Sequence, residues 1–168
     1  MMIAKTYVDY LSELNKTKTV LIEEILYHEL TDINYELEYD DEFQSLDLKP
    51  IKESDLIERG EFIREVKNKC KLLDKSIHTR KFVIQKKYQF NENLASCISL
   101  VQFIIRENKL YTYIFVRSQH LNNYFYDNQT YMKLVKVVSE YTYKLNLIIM
   151  PIKVHITSLH IEAKDAKI

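Results

Sequence analysis

Apolar positions along the chain change rhythm several times, and each change marks an expected element. Between residues 3 and 14, Tyr7, Tyr10, Leu11 and Leu14 recur every three or four places, the spacing of one helix face. From 21 to 39 the pattern shortens to alternation, with Ile33, Tyr35, Leu37 and Tyr39 on one side; this reads as extended chain. The acidic Asp-Asp-Glu-Phe segment that follows reads as a turn. Between 54 and 73, Leu56, Ile63, Val66, Cys70 and Leu73 return to helical spacing, with Ser54 as an expected N-cap.

Three extended runs come next, over 81–90, 97–106 and 109–117, and Glu107-Asn108 between the last two suits a tight hairpin. Over 128–145, Tyr131, Leu134, Val135, Val138, Tyr141 and Leu145 form one stripe that predicts a long helix packed on the sheet. Branched aliphatics over 147–156 predict a final strand, with Pro151 at a bulge or edge. These rhythms together predict an α+β fold with a mostly consecutive sheet.

Composition narrows the function classes. The chain has 168 residues, a length that suits a single domain over 1–168. Lys+Arg and Asp+Glu both total 24, so bulk charge points to neither nucleic acid nor a membrane surface. One glycine removes the glycine-rich phosphate loops. Two cysteines, Cys70 and Cys97, resemble neither a disulfide framework nor a metal site and imply a reduced, cytoplasmic setting. No segment has the roughly 20 apolar residues of a membrane span, and the start lacks a signal-peptide run. The 13 tyrosines accompany abundant Ile, Lys and Asn, as a biased genome would give, and carry no functional weight as a group. Cys70, on the apolar side of its helix, reads as packing.

The segment from Cys97 onward carries more specific information. Gln102-Phe103 follows Cys97 by five residues, Arg117-Ser118 ends the next strand, and Asn128 falls eleven residues after Arg117. Further on stands Val154-His155-Ile156-Thr157-Ser158-Leu159-His160. This order resembles the thymidylate synthase family, in which a catalytic cysteine, Gln-Phe, Arg-Ser, a base-reading Asn and a Thr-His-Leu-Tyr-Ser-Asn-His segment follow one another. Arg80-Lys81 is similar to the arginine pair that reaches a nucleotide phosphate across the subunit interface. Phe43 and Lys49 match an N-terminal segment of the family, and Glu61 lies near its general-base glutamate. The resemblance spans nearly the whole chain and is most specific from Cys97 to His160.

The resemblance implies a mixed, twisted sheet packed against a few helices, and a sheet-to-sheet homodimer. It also implies a pyrimidine nucleoside monophosphate as ligand. Cys97 would add as thiolate to C6 of the base, making C5 ready to attack a one-carbon unit. Arg117, expected to lower the thiol's pKa, would hold the phosphate with Ser118 and with Arg80 of the other subunit. Asn128 would read a uracil edge, whereas the adjacent Asp127, after a one-residue slip, would suit cytosine. His155 would meet the sugar, and Glu61 would move protons, with Glu58 and Glu65 as competitors.

Departures from the family pattern are as informative. Pro-Cys-His is Ser96-Cys97-Ile98 here, the Asp after Arg-Ser is His120, and the tyrosine near the histidine is Thr157. The early phosphate loop, the insertion after the glutamate helix, the glycine-rich segment before the Asn and the folate-closing tail are missing. A tetrahydrofolate one-carbon donor is implied by the family but not supported by these elements. Three readings stay open: a methyl- or hydroxymethyl-transferase acting at C5, an inactive nucleotide-binding protein, and an interaction domain that keeps only the architecture.

Overall fold

In the computed structural model, which describes residues 2–73, 77–86 and 97–166, the first helical rhythm becomes α1 (Met2–Leu14). The alternating stretch becomes a hairpin of β1 (Thr19–Ile22) and β2 (Ile25–Leu37). It closes through Glu23 and Glu24, both at positive φ (48° and 68°), as a two-residue turn matched to strand twist requires. The acidic segment is not a plain turn but a short helix, α2 (Asp41–Ser45). Asp40 caps it, its side chain accepting from the Phe43 N–H at 2.9 Å, which satisfies one orphan donor of the first turn.

The second long helix, α3, runs Glu53–Cys70. Ser54 is not its cap: Lys52 occupies that position, without a side-chain cap bond. Leu56 is also not in the buried stripe but nearly half exposed, and Phe62, Val66 and Cys70 carry the stripe instead. Burial pushes the Cys70 thiol up to about 12, in keeping with packing.

Three strands follow, β3 (Val83–Gln85), β4 (Ile98–Arg106) and β5 (Lys109–His120). The expected run over 81–90 is represented by β3 alone; 87–90 lie outside the described residues. Glu107 and Asn108 make the expected turn, at φ 46° and 63°. The long helix α4 spans Tyr124–Tyr141 and so starts a turn earlier than its stripe suggests. Tyr141 and Leu145 are exposed, because the helix ends at Tyr141 and a 3-10 turn carries Tyr143–Leu145. Pro151 separates β6 (Ile148–Ile149) from β7 (Ile152–Glu162), consistent with its missing N–H donor.

The strands form one open, mixed sheet in the order β1-β2-β7-β5-β4-β3, with β6 beside β5. The order is less consecutive than expected, since β7 inserts between β2 and β5. It runs antiparallel to β2 and parallel to β5, and α4 makes the crossover that a parallel pair needs. The helix-facing side is apolar here: Val101, Phe103, Leu110, Ile114, Val154 and Ile156 share a core with Leu134, Val135 and Val138 of α4. Tyr10 of α1 sets its ring edge against Tyr35 and Tyr124, at 6.2 and 6.0 Å between centroids. On the other side Tyr111 and Tyr113 are half-buried and Phe115 is exposed.

The central three strands share an irregularity. In β5 the buried positions are Leu110, Thr112, Ile114 and Val116, then Gln119; in β7 they are Ile152, Val154 and Ile156, then Leu159 and Ile161. Both sequences change parity at the same level. Pairing runs from the row Val116–Ile156–Ile33 to the row Ser118–Ser158–Thr31 and passes over Arg117, Thr157 and Asp32 between them. Asp32 sits at φ 56°. One extra residue per strand, stacked across three strands, resets which face each side chain meets, as bulges do.

A β-branched residue cannot take the left-handed backbone of Asp32 without strain. Asp32→Val is expected to cost roughly 1–3 kcal/mol of unfolding free energy, whereas Asp32→Gly costs less than about 0.5 kcal/mol. Urea denaturation midpoints check both.

Candidate functional site

Cys97 immediately precedes β4, where the sheet meets α3 and α4. Its carbonyl accepts from the Arg117 N–H at 2.8 Å, so the thiol-bearing and guanidinium-bearing residues are cross-strand neighbours. The half-buried sulfur faces a small pocket floored by Asp127 and Tyr131 of α4 and walled by Asp55, Glu58 and Arg59 of α3. Its volume is about 30 Å³, room for roughly two waters.

Arg59 ties the two helices together. Its Nε donates to Thr130 Oγ1 at 2.7 Å, Nη1 to Gln129 Oε1 at 3.1 Å and Nη2 to the Tyr126 carbonyl at 2.9 Å. The guanidinium also lies 3.7 Å from the centre of the Tyr126 ring, a cation–π stack. At the start of α3, Asp55 accepts from Asn123 Nδ2 at 2.9 Å. The first turn of α4 is therefore fixed against α3, and Asp127 is held facing Cys97.

The electrostatics differ from the expectation for an activated thiol. Burial pushes Cys97 up to about 12, and the nearby Asp127, Glu58 and Asp55 add to the rise; Arg117 opposes it and loses. A thiol at this value is protonated at neutral pH. Asp127 is itself pushed up to about 8, first by burial and then by Asp55 and Glu58, against the hydrogen bond from Gln119 and the charge of Arg59. Gln119 Nε2 donates to Asp127 Oδ2 at 3.0 Å.

The structure gathers only part of the expected constellation. Arg117 is exposed and Ser118 half-buried at the reset row, beside Cys97 through the backbone. Asn128 is fully buried; its Oδ1 accepts from Tyr35 Oη at 2.6 Å and its Nδ2 donates to the Tyr124 carbonyl at 2.9 Å. Both ends of the amide are occupied inside the core, so it does not face the pocket. A helix turns about 100° per residue, and that step exchanges Asn128 for Asp127.

Glu61 also lies outside the pocket lining. It pairs with Lys86 at 3.4 Å, while Glu58, nearly one turn earlier, lines the pocket. His155 lies on the open face, its Nδ1 2.8 Å from Asn34 Oδ1 and 3.7 Å from an Asp32 carboxylate oxygen. With Phe115, Tyr113 and Lys153 it borders a separate hollow of about 360 Å³. Arg80 is exposed, and its carbonyl accepts from Gln102 Nε2 at 3.1 Å; it does not line the pocket.

Asp127 and Arg59 carried a signal that periodicity alone did not weigh. Asp127 stands on the stripe that continues through Tyr131, Leu134 and Val138, and Arg59 on the one through Phe62, Val66 and Cys70. A charge on an apolar stripe is buried at a cost unless something pairs with it.

Among the described residues no group of three or more His, Cys, Asp or Glu side chains could hold a metal ion, and no helix is long and apolar enough to cross a membrane. The chain matches no protein-family model, and no curated protein matches it.

The raised value of Asp127 has a stability consequence with a defined sign. The folded chain keeps a proton that the unfolded chain releases above pH 3.8, so the stability this group contributes at low pH is lost as pH rises to about 8. Asp127→Asn removes that loss. The stability of the variant relative to wild type should grow between about pH 5 and pH 8, by on the order of a few kcal/mol, and level off near pH 9. Urea titrations at these pH values check the slope; a difference independent of pH would contradict it.

Proposed function

We propose that this chain binds a pyrimidine nucleoside monophosphate at the Cys97 pocket, in the manner of the thymidylate synthase family it resembles, and does so without turnover. The observation that carries the reading is the bond between the Arg117 N–H and the Cys97 carbonyl. It sets a phosphate-capable guanidinium beside a cysteine, and the cysteine's pocket has a carboxyl able to meet a base edge. Arg117 and Ser118 take the phosphate through charge-assisted hydrogen bonds, and the ring enters towards Cys97. The enclosed room is smaller than a pyrimidine, so binding includes opening of the pocket mouth. The absence of turnover is supported by Cys97 being held as a thiol among three carboxyl groups.

A second reading, C5 methyl or hydroxymethyl transfer with Cys97 as nucleophile, is favoured by the placement of the sulfur at the pocket and by Arg117 as the neighbour that lowers its pKa. In it Glu58, which lines the pocket, replaces Glu61 as the proton-moving carboxylate. No step is assigned to folate.

A homodimer is part of the same proposal. On the open face β2 presents Glu36, Asp32 and Glu29, β7 presents Lys153, and β5 presents Tyr113 and Phe115. A two-fold axis near β7 lays the acidic column over the aromatic and basic column of a second copy, a self-complementary arrangement. Phe115→Glu should then shift sedimentation from a dimer of 20.2 kDa chains to the monomer.

Thermal shift with deoxyuridine and deoxycytidine monophosphates and their ribose forms tests binding. Stabilisation of roughly 3–8 °C at saturating nucleotide that persists in Cys97→Ala and vanishes in Arg117→Ala is the expected result. No shift with any of the four removes the reading. A covalent adduct of 5-fluoro-dUMP on Cys97, seen by intact mass, would instead establish the second one.

A further inference from the structure

We infer that the chain self-associates at the free edge of β1, where two copies pair their β1 strands antiparallel about a two-fold axis at Leu21. The contact is independent of the nucleotide reading and uses none of the residues of the face-to-face dimer. β1 ends the sheet, and among the described residues nothing pairs with its outer side. All four of its residues are exposed. Val20, Leu21 and Ile22, with Ile25 and Leu26 of β2, make a patch of five exposed aliphatic side chains. An edge of this kind invites another strand, and proteins usually blunt it with a charge, a proline or a bulge. Thr19-Val20-Leu21-Ile22 has none of these.

The hairpin itself fixes which main-chain groups face outward. Its two-residue turn makes Ile22 and Ile25 a hydrogen-bonded pair, so Leu21 and Leu26 are a pair whose N–H and carbonyl groups point away from each other. The Leu26 carbonyl follows this alternation: it accepts from the Ala163 N–H at 2.9 Å, on the side away from β1. The N–H and carbonyl of Leu21 therefore lie on the free edge, and two copies about an axis there exchange them reciprocally. In that register Val20 of one copy stands opposite Ile22 of the other on one face, and the two Leu21 side chains meet on the other face.

Charge selects a second copy as the occupant. Lys18 precedes the strand, and Glu23 and Glu24 follow it, so an antiparallel copy of the same strand brings Lys18 to Glu24 at both ends, and opposite charges across strands stabilise the pairing. Among the described residues neither Lys18 nor Glu24 makes an ion pair within the chain. A slip of one residue sets outward-pointing main chain against inward-pointing, and a slip of two, centred on Val20, sets Lys18 against Ile22. Four-residue strands bury less than the roughly 1,000 Å² of a lasting interface, so the contact forms only in concentrated protein. It leaves Phe115→Glu monomeric when dilute and links face-to-face dimers when concentrated.

Sedimentation equilibrium of the full chain carrying Phe115→Glu isolates the edge. The average mass should rise from the 20.2 kDa monomer in dilute solution, about 10 µM, towards the dimer at about 1 mM, and adding Leu21→Lys, at an exposed position, should abolish the rise. Lys18→Glu should weaken the association at least roughly fivefold, and Glu24→Lys added to it should restore the association. Hydrogen exchange on the wild-type chain needs no variant: the Leu21 amide should slow with rising concentration, while that of Val20, already bonded to β2, should not change. A mass that stays monomeric, or a rise that neither Leu21→Lys nor the charge exchange moves, would overturn the inference. Protection of Leu21 by an added apolar peptide but not by concentration would assign the edge to a different protein and overturn it as well.

Discussion

The site depends on one partly buried cation. Arg59 leaves α3 on its apolar side and spends its guanidinium on Thr130, Gln129 and the Tyr126 carbonyl, with the Tyr126 ring stacked against it. A guanidinium in this environment is tolerable only because its donors meet oxygens, and that requirement fixes where α4 begins relative to α3. Gln129 is held from the other side as well, donating to the Phe43 and Leu46 carbonyls at 3.1 and 2.6 Å, so α2 joins the same assembly. The orientation of Asp127 towards Cys97 follows from this clamp rather than from any preference of the aspartate itself.

The second constraint is the reset of strand parity at Arg117, Thr157 and Asp32. Without it, Gln119 would point away from α4, because the alternation that buries Val116 would expose residue 119. With it, Gln119 lies under α4 and reaches Asp127. The same reset leaves Ser118, Ser158 and Thr31 opposite one another and puts His120 and His160 edge to face on adjacent strands, 5.2 Å between ring centres. Burial lowers both imidazoles, His160 to about 4, so at neutral pH this part of the face adds no positive charge of its own. The cationic character near Cys97 comes from Arg117 and from Arg59, which walls the same pocket.

These two constraints explain an apparent conflict in the chemistry. A cysteine, an arginine and a long helix stand in an order that resembles a nucleophile site, yet carboxyl groups of α3 and α4 line the pocket beside the sulfur. Desolvation and those carboxyls act in the same direction on the thiol, and a single exposed guanidinium does not offset them. In the proposed reading, the arrangement holds a ligand without attacking it.

Periodicity determined the elements. The stripes of α1, α3 and α4 and the turn at Glu107-Asn108 are local properties, set by which residues can share a helix face or take positive φ, and they were legible without coordinates. So was the closeness of Cys97 and Arg117, which a short hairpin enforces. What remained hidden depended on long-range choices: the insertion of β7 between β2 and β5, the stacked reset, and the helix phase that buries Asn128 and presents Asp127. A one-residue change of phase is invisible in a spacing rule but decides which side chain meets a pocket. Only the packing of Arg59 and Tyr35 against α4 selects that phase, because only there are the buried polar groups satisfied.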